Sequence, residues 1–285
     1  MLGARFPILL LAFLALAPAA APDTADPIDR AFTRLYNFDF QGAHAILNEY
    51  IAGHPADALA YAARAATDLF YELDRLAILE SEFFIDDRRI TEKKKLRPDL
   101  QVRNRFLQAI SDARSRAQST LAKAPDDYHS MLALCTTEGL LLDYTALVEK
   151  KHLGSLSLAK RNNTCAQQLL KVHPEAHDAY LTTGFTEYLV GSLPFYVRWF
   201  IRFDEVKGSK DQGIRNLQLV AESGQYLKSF AKVLLAIACL REKQPLESKR
   251  LLSELARAYP ENPLFHKELD KIPALLNTGT TDGHR

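Results

Sequence analysis

Three cysteines, one tryptophan and two methionines are all that 285 residues contain of these types. Cys135, Cys165 and Cys239 are an odd number, which rules out a small fold stapled throughout by disulfides. Each sits among apolar positions with helical spacing. Buried free thiols are therefore the expected state, and one bridge with one leftover thiol is the alternative. An excess of either charge is also missing. Lys and Arg total 36 against 35 Asp and Glu. Removing an N-terminal segment that contains only Arg5 leaves 35 against 35, so nothing advertises nucleic-acid binding. Catalytic signatures are absent too: no GxSxG, HExxH, phosphate loop, CxxC or dinucleotide-binding glycine pattern occurs. No cofactor is expected. No stretch alternates polar and apolar residues between turn signals, so strands are not expected either.

What is present begins with an apolar run. Phe6 to Ala17 follows Arg5, and Ala17-Pro18-Ala19 and Ala19-Ala20-Ala21 supply small residues. That is the pattern of an export signal over 1–21, with an uncleaved anchor as the alternative. It implies periplasmic or secreted localisation. No cysteine follows the run, so a lipoprotein is not expected.

The rest reads as helical hairpins. The closest-spaced stretch runs from Gly208 to Pro260, with Gly208, Gly213, Leu217 and Val220 on one helix face. In Phe40-Gln41-Gly42-Ala43 to His54-Pro55, small Ala43 admits a neighbouring helix and Leu47 fills the seam. Pro55 stops the helix because it lacks a donor. Ser248 and Leu252 repeat that pair of roles before Pro260. Prolines 55, 125, 174 and 260 punctuate the chain at unequal intervals. The pattern resembles tetratricopeptide repeats, which implies an all-α solenoid of about five degenerate pairs. The pairs are 26–53, 57–123, 126–172, 175–223 and 225–259, with a capping segment at 262–275. The repeat domain spans 22–275 and a disordered tail 276–285.

A second resemblance rests on Gly184-Phe185 through Ser192-Leu193-Pro194, on Gly208 to Gly213-Ile214, and on Tyr259-Pro260-Glu261-Asn262-Pro263-Leu264-Phe265. This is similar to the C-terminal half of the eukaryotic inclusion-clearance/tetratricopeptide-39 family. It too implies a helical-repeat fold.

In tetratricopeptide folds the first helices of successive pairs line a concave groove. Glu80, Glu138 and Glu187 each fall on an apolar stripe of a first helix, with Tyr180 and Tyr188 nearby as rigid contact area. Phe70, Leu73, Ala77, Glu80 and Phe84 place Glu80 on a long first helix of the second pair. Asp68, Glu72, Arg75, Glu82 and Asp86 form a polar stripe on another face of it. These residues are the expected binding surface for a protein or peptide partner. The competing expectations are inter-helix hydrogen bonds for the glutamates and a solvated face for the stripe. An α-helical hydrolase using a carboxylate pair drawn from Glu80, Glu138, Glu187 or their neighbours is the first functional alternative. A peripheral membrane protein docking through 195–203, with Trp199, Phe203, Arg198 and Arg202, is the second. The charged insertion Asp86 to Pro98 reads as a solvated connection. His54 and His173 precede prolines at helix ends, where a structural role is expected. Pro174 separates His173 from His177 and argues against a metal pair.

Overall fold

The computed structural model describes residues 25–80, 97–192 and 209–278. Eleven α-helices and no strand occur among them. In chain order these are α1 (Pro27–Tyr36), α2 (Phe40–Gly53), α3 (Ala58–Arg75), α4 (Leu100–Leu121) and α5 (Tyr128–Asp143). A π-helical segment, Tyr144–Val148, continues α5. The later helices are α6 (His152–Val172), α7 (Tyr180–Ser192), α8 (Lys210–Ser223), α9 (Lys228–Arg241), α10 (Pro245–Ala258) and α11 (Pro263–Thr278). The signal pattern, Glu82, Asp86, most of the charged insertion, 195–203 and Gly208 lie outside the described residues. Helix α11 runs to Thr278, into the segment expected as the tail, and residues 279–285 lie outside the described residues.

Two recurring turns build the hairpins. Where a second helix meets the next first helix, His54, His173 and Tyr259 have extended φ of −131°, −126° and −131° before their prolines. A residue preceding proline is pushed out of the helical region, so the helix must stop there. After Pro55, Pro125 and Pro260, an Asp or Asn two residues on caps the next helix. Asp57 accepts from the Leu59 N–H at 2.9 Å, and Asn262 from the Leu264 N–H at 2.9 Å. Asp127 accepts from the Ser130 N–H at 2.9 Å. Where a first helix meets its second, Phe38, Ala77, Lys150 and Lys243 adopt positive φ of 64°, 54°, 55° and 58°. This left-handed residue closes the helix, as in the bond from the Ile78 N–H to the Leu73 carbonyl at 2.8 Å.

Each helix packs on its neighbours in sequence, giving the pairs α1/α2, α3/α4, α5/α6, α7/α8 and α9/α10, with α11 after them. Ala43 and Leu47 are fully buried, as the seam positions require, and so is Ser248. One core runs through the first three pairs and a second through the last two. Leu227, Phe230 and Tyr259 touch both.

The first helix also packs against the last elements. The Tyr36 hydroxyl donates to the Tyr226 carbonyl at 3.0 Å, and the Asn262 amide to the Tyr36 carbonyl at 2.8 Å. Phe70 meets Phe230 edge to face at 5.4 Å. The array is therefore closed by contacts more than 150 residues apart in sequence.

Cys135 on α5 and Cys165 on α6 form a disulfide, while Cys239 is free. The expectation of three buried thiols is corrected by the alternative of one bridge. Both cysteines face the seam of one hairpin, with Cα atoms 5.4 Å apart, a separation that a bridge spans. Tyr128–Val148 is long and apolar enough to cross a membrane by length and composition. Its residues Leu132, Ala133, Leu140, Tyr144 and Val148 instead fill the first core.

Candidate functional site

Asp68, Glu138 and Glu187 occupy one repeated position. Each comes thirteen residues after a hairpin-ending proline (55 to 68, 125 to 138, 174 to 187). Each lies on the first helix of its pair and meets the layer of second helices. On the first rung, Asp68 is 1% exposed. Its Oδ1 accepts from the Arg105 guanidinium of α4 at 3.2 Å and lies 3.3 Å from His44 Nε2 of α2, while its buried Oδ2 has no partner among the described residues. On the second rung, Glu138 of α5 is held by Arg114 of α4 and by Arg161 of α6, the latter at 2.9 Å. Burial, and then the neighbouring Arg161, push the Arg114 guanidinium below its ordinary value. Each carboxylate thus clasps the second helices on either side of it. Asp68 is buried and Glu138 mostly buried while Arg105 and Arg161 stay largely exposed, so losing an arginine would strand a buried charge.

The third rung is built differently. Helices α7 and α8 approach closely because Gly184 and Gly213 face each other. A Cβ on Gly213 would come within 2.5 Å of the Tyr188 nitrogen. Above that crossing, Glu187 Oε2 accepts from the Asn216 amide at 2.9 Å. On the other side, the position eleven residues before the proline holds His44, Arg114 and Asn163 in the three rungs. Asn163 is neutral and donates nothing to Glu187. Arg215 attracts Glu187 without bonding it, and its guanidinium donates to Gln212 at 2.6 Å. Burial raises the Glu187 carboxyl above its ordinary value, opposed by the Asn216 bond.

The remaining residues expected to bind a partner are dispersed. Glu72 is fully buried rather than solvated. It accepts two bonds from Arg75, both at 2.8 Å, and one from the Asp99 N–H at 2.8 Å. Arg75 in turn donates to the Arg97 carbonyl at 2.6 Å. Asp68 is likewise buried. The expected solvated stripe is, in these residues, the bracket that anchors the start of α4. Helix α3 ends at Arg75, not beyond residue 84, because Ala77 turns left-handed. Glu80 therefore leaves the helix and pairs with Lys267 of α11 at 2.8 Å. Tyr180 packs at the edge of the second core. Tyr188 is buried and its hydroxyl donates to Glu242 at 3.3 Å, which also receives Lys210 at 2.7 Å. Glu80, Glu138 and Glu187 share no bond and no partner. All three contact neighbouring elements, so the glutamates do not form one open strip. Asp68 is the true counterpart of Glu138 and Glu187, and the thirteen-residue interval is the sequence signal for it.

Asp143 carries no sequence signal of its own. It ends α5 where the π-segment begins and has no hydrogen-bond partner among the described residues. Desolvation alone pushes its carboxyl up to about 7. The next residue, Tyr144, stacks on Phe106 at 4.9 Å, and its buried hydroxyl has no partner among the described residues. Among those residues no group of three or more His, Cys, Asp or Glu is placed to hold a metal. His173 joins two turns, through the Asp126 carbonyl at 2.7 Å and Glu175 at 3.0 Å. A small, partly open apolar pocket lies between α9, α10 and α11, lined by Leu79, Ile237 and Phe265. No family model, curated protein or solved structure matches this chain.

Proposed function

We propose that this chain is an exported, tetratricopeptide-like solenoid that serves as a binding scaffold for another protein or peptide. The observation that carries the reading is the repetition of one hairpin design. The proline stop, the acidic or amide cap, the left-handed turn and the carboxylate position recur from pair to pair. Stacked hairpins of this kind present extended surface from a rigid framework and do not need a catalytic pocket to be useful. Export is supported by the Cys135–Cys165 bridge, which persists in an oxidising compartment, and by the apolar run near the N-terminus. The likeness to the inclusion-clearance/tetratricopeptide-39 family points to the same architecture.

The three glutamates have partners within the fold, so the reading does not rest on them as a set. It rests on the repeated framework, with the third rung as its open position. Purification of the tagged, mature protein from its own cell envelope after mild cross-linking tests it. The expected result is a polypeptide recovered in constant ratio to the scaffold and absent with an unrelated exported bait. Recovery of nothing above that control contradicts the reading.

A further inference from the structure

We propose that Glu187 is a receptor for a guanidinium group, supplied by an arginine side chain of the polypeptide partner. The inference rests on the scaffold reading and names what one site on it recognises. Its basis is an internal comparison. Three rungs share one register, and each of the first two carboxylates faces arginine or histidine groups on both flanking helices, although Asp68 Oδ2 is left without a partner among the described residues. Arg105 serves Asp68 with His44 opposite, and Arg114 and Arg161 together hold Glu138. Three of those four groups are guanidiniums. On the third rung the corresponding flanks are both amides. Asn216 offers a single neutral bond and Asn163 offers none.

A partly buried carboxylate with one neutral donor leaves acceptor positions unused, because an ionised carboxylate can take bidentate arginine. Glu187 keeps partial solvent contact, so a group from outside can reach it. Asp68 is sealed within the fold and Glu138 already holds two arginines, so neither can serve in the same way. The framework beneath Glu187 is rigid because the glycine crossing of α7 and α8 brings backbone against backbone. Arginine suits this position better than lysine because its planar fork matches a carboxylate already oriented by Asn216.

The test uses two short capped peptides, Gly-Arg-Gly and Gly-citrulline-Gly, which differ in charge but hardly in shape. Each is titrated into isotope-labelled mature protein, and the amide signals of 183–188 and 212–216 are followed by NMR. The wild type is expected to bind the arginine peptide about tenfold more tightly than the citrulline peptide, the scale of one charge-assisted pair. Glu187→Gln, which keeps shape and removes charge, is expected to erase that difference. Equal binding of the two peptides to wild type overturns the proposal without reference to any variant. So does a preference for arginine that survives Glu187→Gln, or no binding of either at tens of millimolar. If a partner captured from the envelope binds wild type and Glu187→Gln equally, the scaffold stands and this inference falls. If neither the capture nor the peptides give binding, both fall.

Discussion

Replacing Asp143 with Asn should stabilise the protein at neutral and alkaline pH and do nothing in acid. Asp143 has no donor among the described residues to compensate it, and burial pushes its carboxyl from the usual range to about 7. In the unfolded chain the same group titrates near 4. Between those values the unfolded state releases the proton while the folded state keeps it. Stability must therefore fall as pH rises from about 4 to about 7. Below that window both states are protonated and the residue contributes nothing. Three units would correspond to about 4 kcal/mol. Asp143 keeps partial solvent contact, so water will screen part of this and about 2 kcal/mol is the expected penalty. Asn cannot ionise and removes it. Urea unfolding of wild type and Asp143→Asn at pH 4, 6 and 8 reads the effect directly. The curves should coincide at pH 4 and separate by about 2 kcal/mol at pH 8, the variant being more stable. A variant less stable than wild type at pH 8 would refute the reasoning, because it would mean that the carboxylate has a favourable partner.

Three other substitutions probe the framework. Ser248 is fully buried and its hydroxyl has no partner among the described residues, so Ser248→Ala should stabilise by about 1 kcal/mol, read as a raised urea midpoint; a loss would reveal a hidden bond. Lys243 holds a left-handed φ of 58°, so Lys243→Gly should stabilise by about 0.5–1 kcal/mol in thermal melts, against the usual sign for glycine. Ala43→Leu should cost roughly 1–3 kcal/mol by overpacking the α2 seam, and an unchanged melt would place Ala43 at the surface.

The hairpins are legible in the sequence because proline and aspartate act locally. Pro55, Pro125, Pro174 and Pro260 stop helices through their own geometry, and Asp57, Asp127 and Asn262 cap the next helix whatever surrounds them. Ala43 and Leu47 are legible through size and spacing. The end of α3 is not, since the turn that closes it uses Ala77, where glycine or asparagine would have signalled a left-handed residue. Periodicity alone therefore draws that helix too long and misplaces Glu80. Asp68 and Glu72 read as a solvated stripe because periodicity locates a face without saying what covers it. Arg105, Arg75 and the Asp99 N–H cover it, from elements up to 37 residues away. The closure of Tyr36 on Tyr226 and Asn262 has no local signal at all, because the partners lie 190 and 226 residues away in the sequence. Two cysteines thirty residues apart cannot declare a bridge until α5 and α6 are laid side by side.

Hydrogen exchange on the captured complex tests the scaffold claim most directly, because it reports where a partner rests on the repeat framework. With the partner bound, amides of α7 and α8 around Thr183 to Glu187 and Gln212 to Asn216 should exchange more slowly. The clasps at Asp68 and Glu138 should be unchanged. Protection confined to the Asp68 and Glu138 rungs would place the partner away from Glu187 and overturn that assignment, and a complex that leaves every helix exchanging as in the free protein would contradict the scaffold claim.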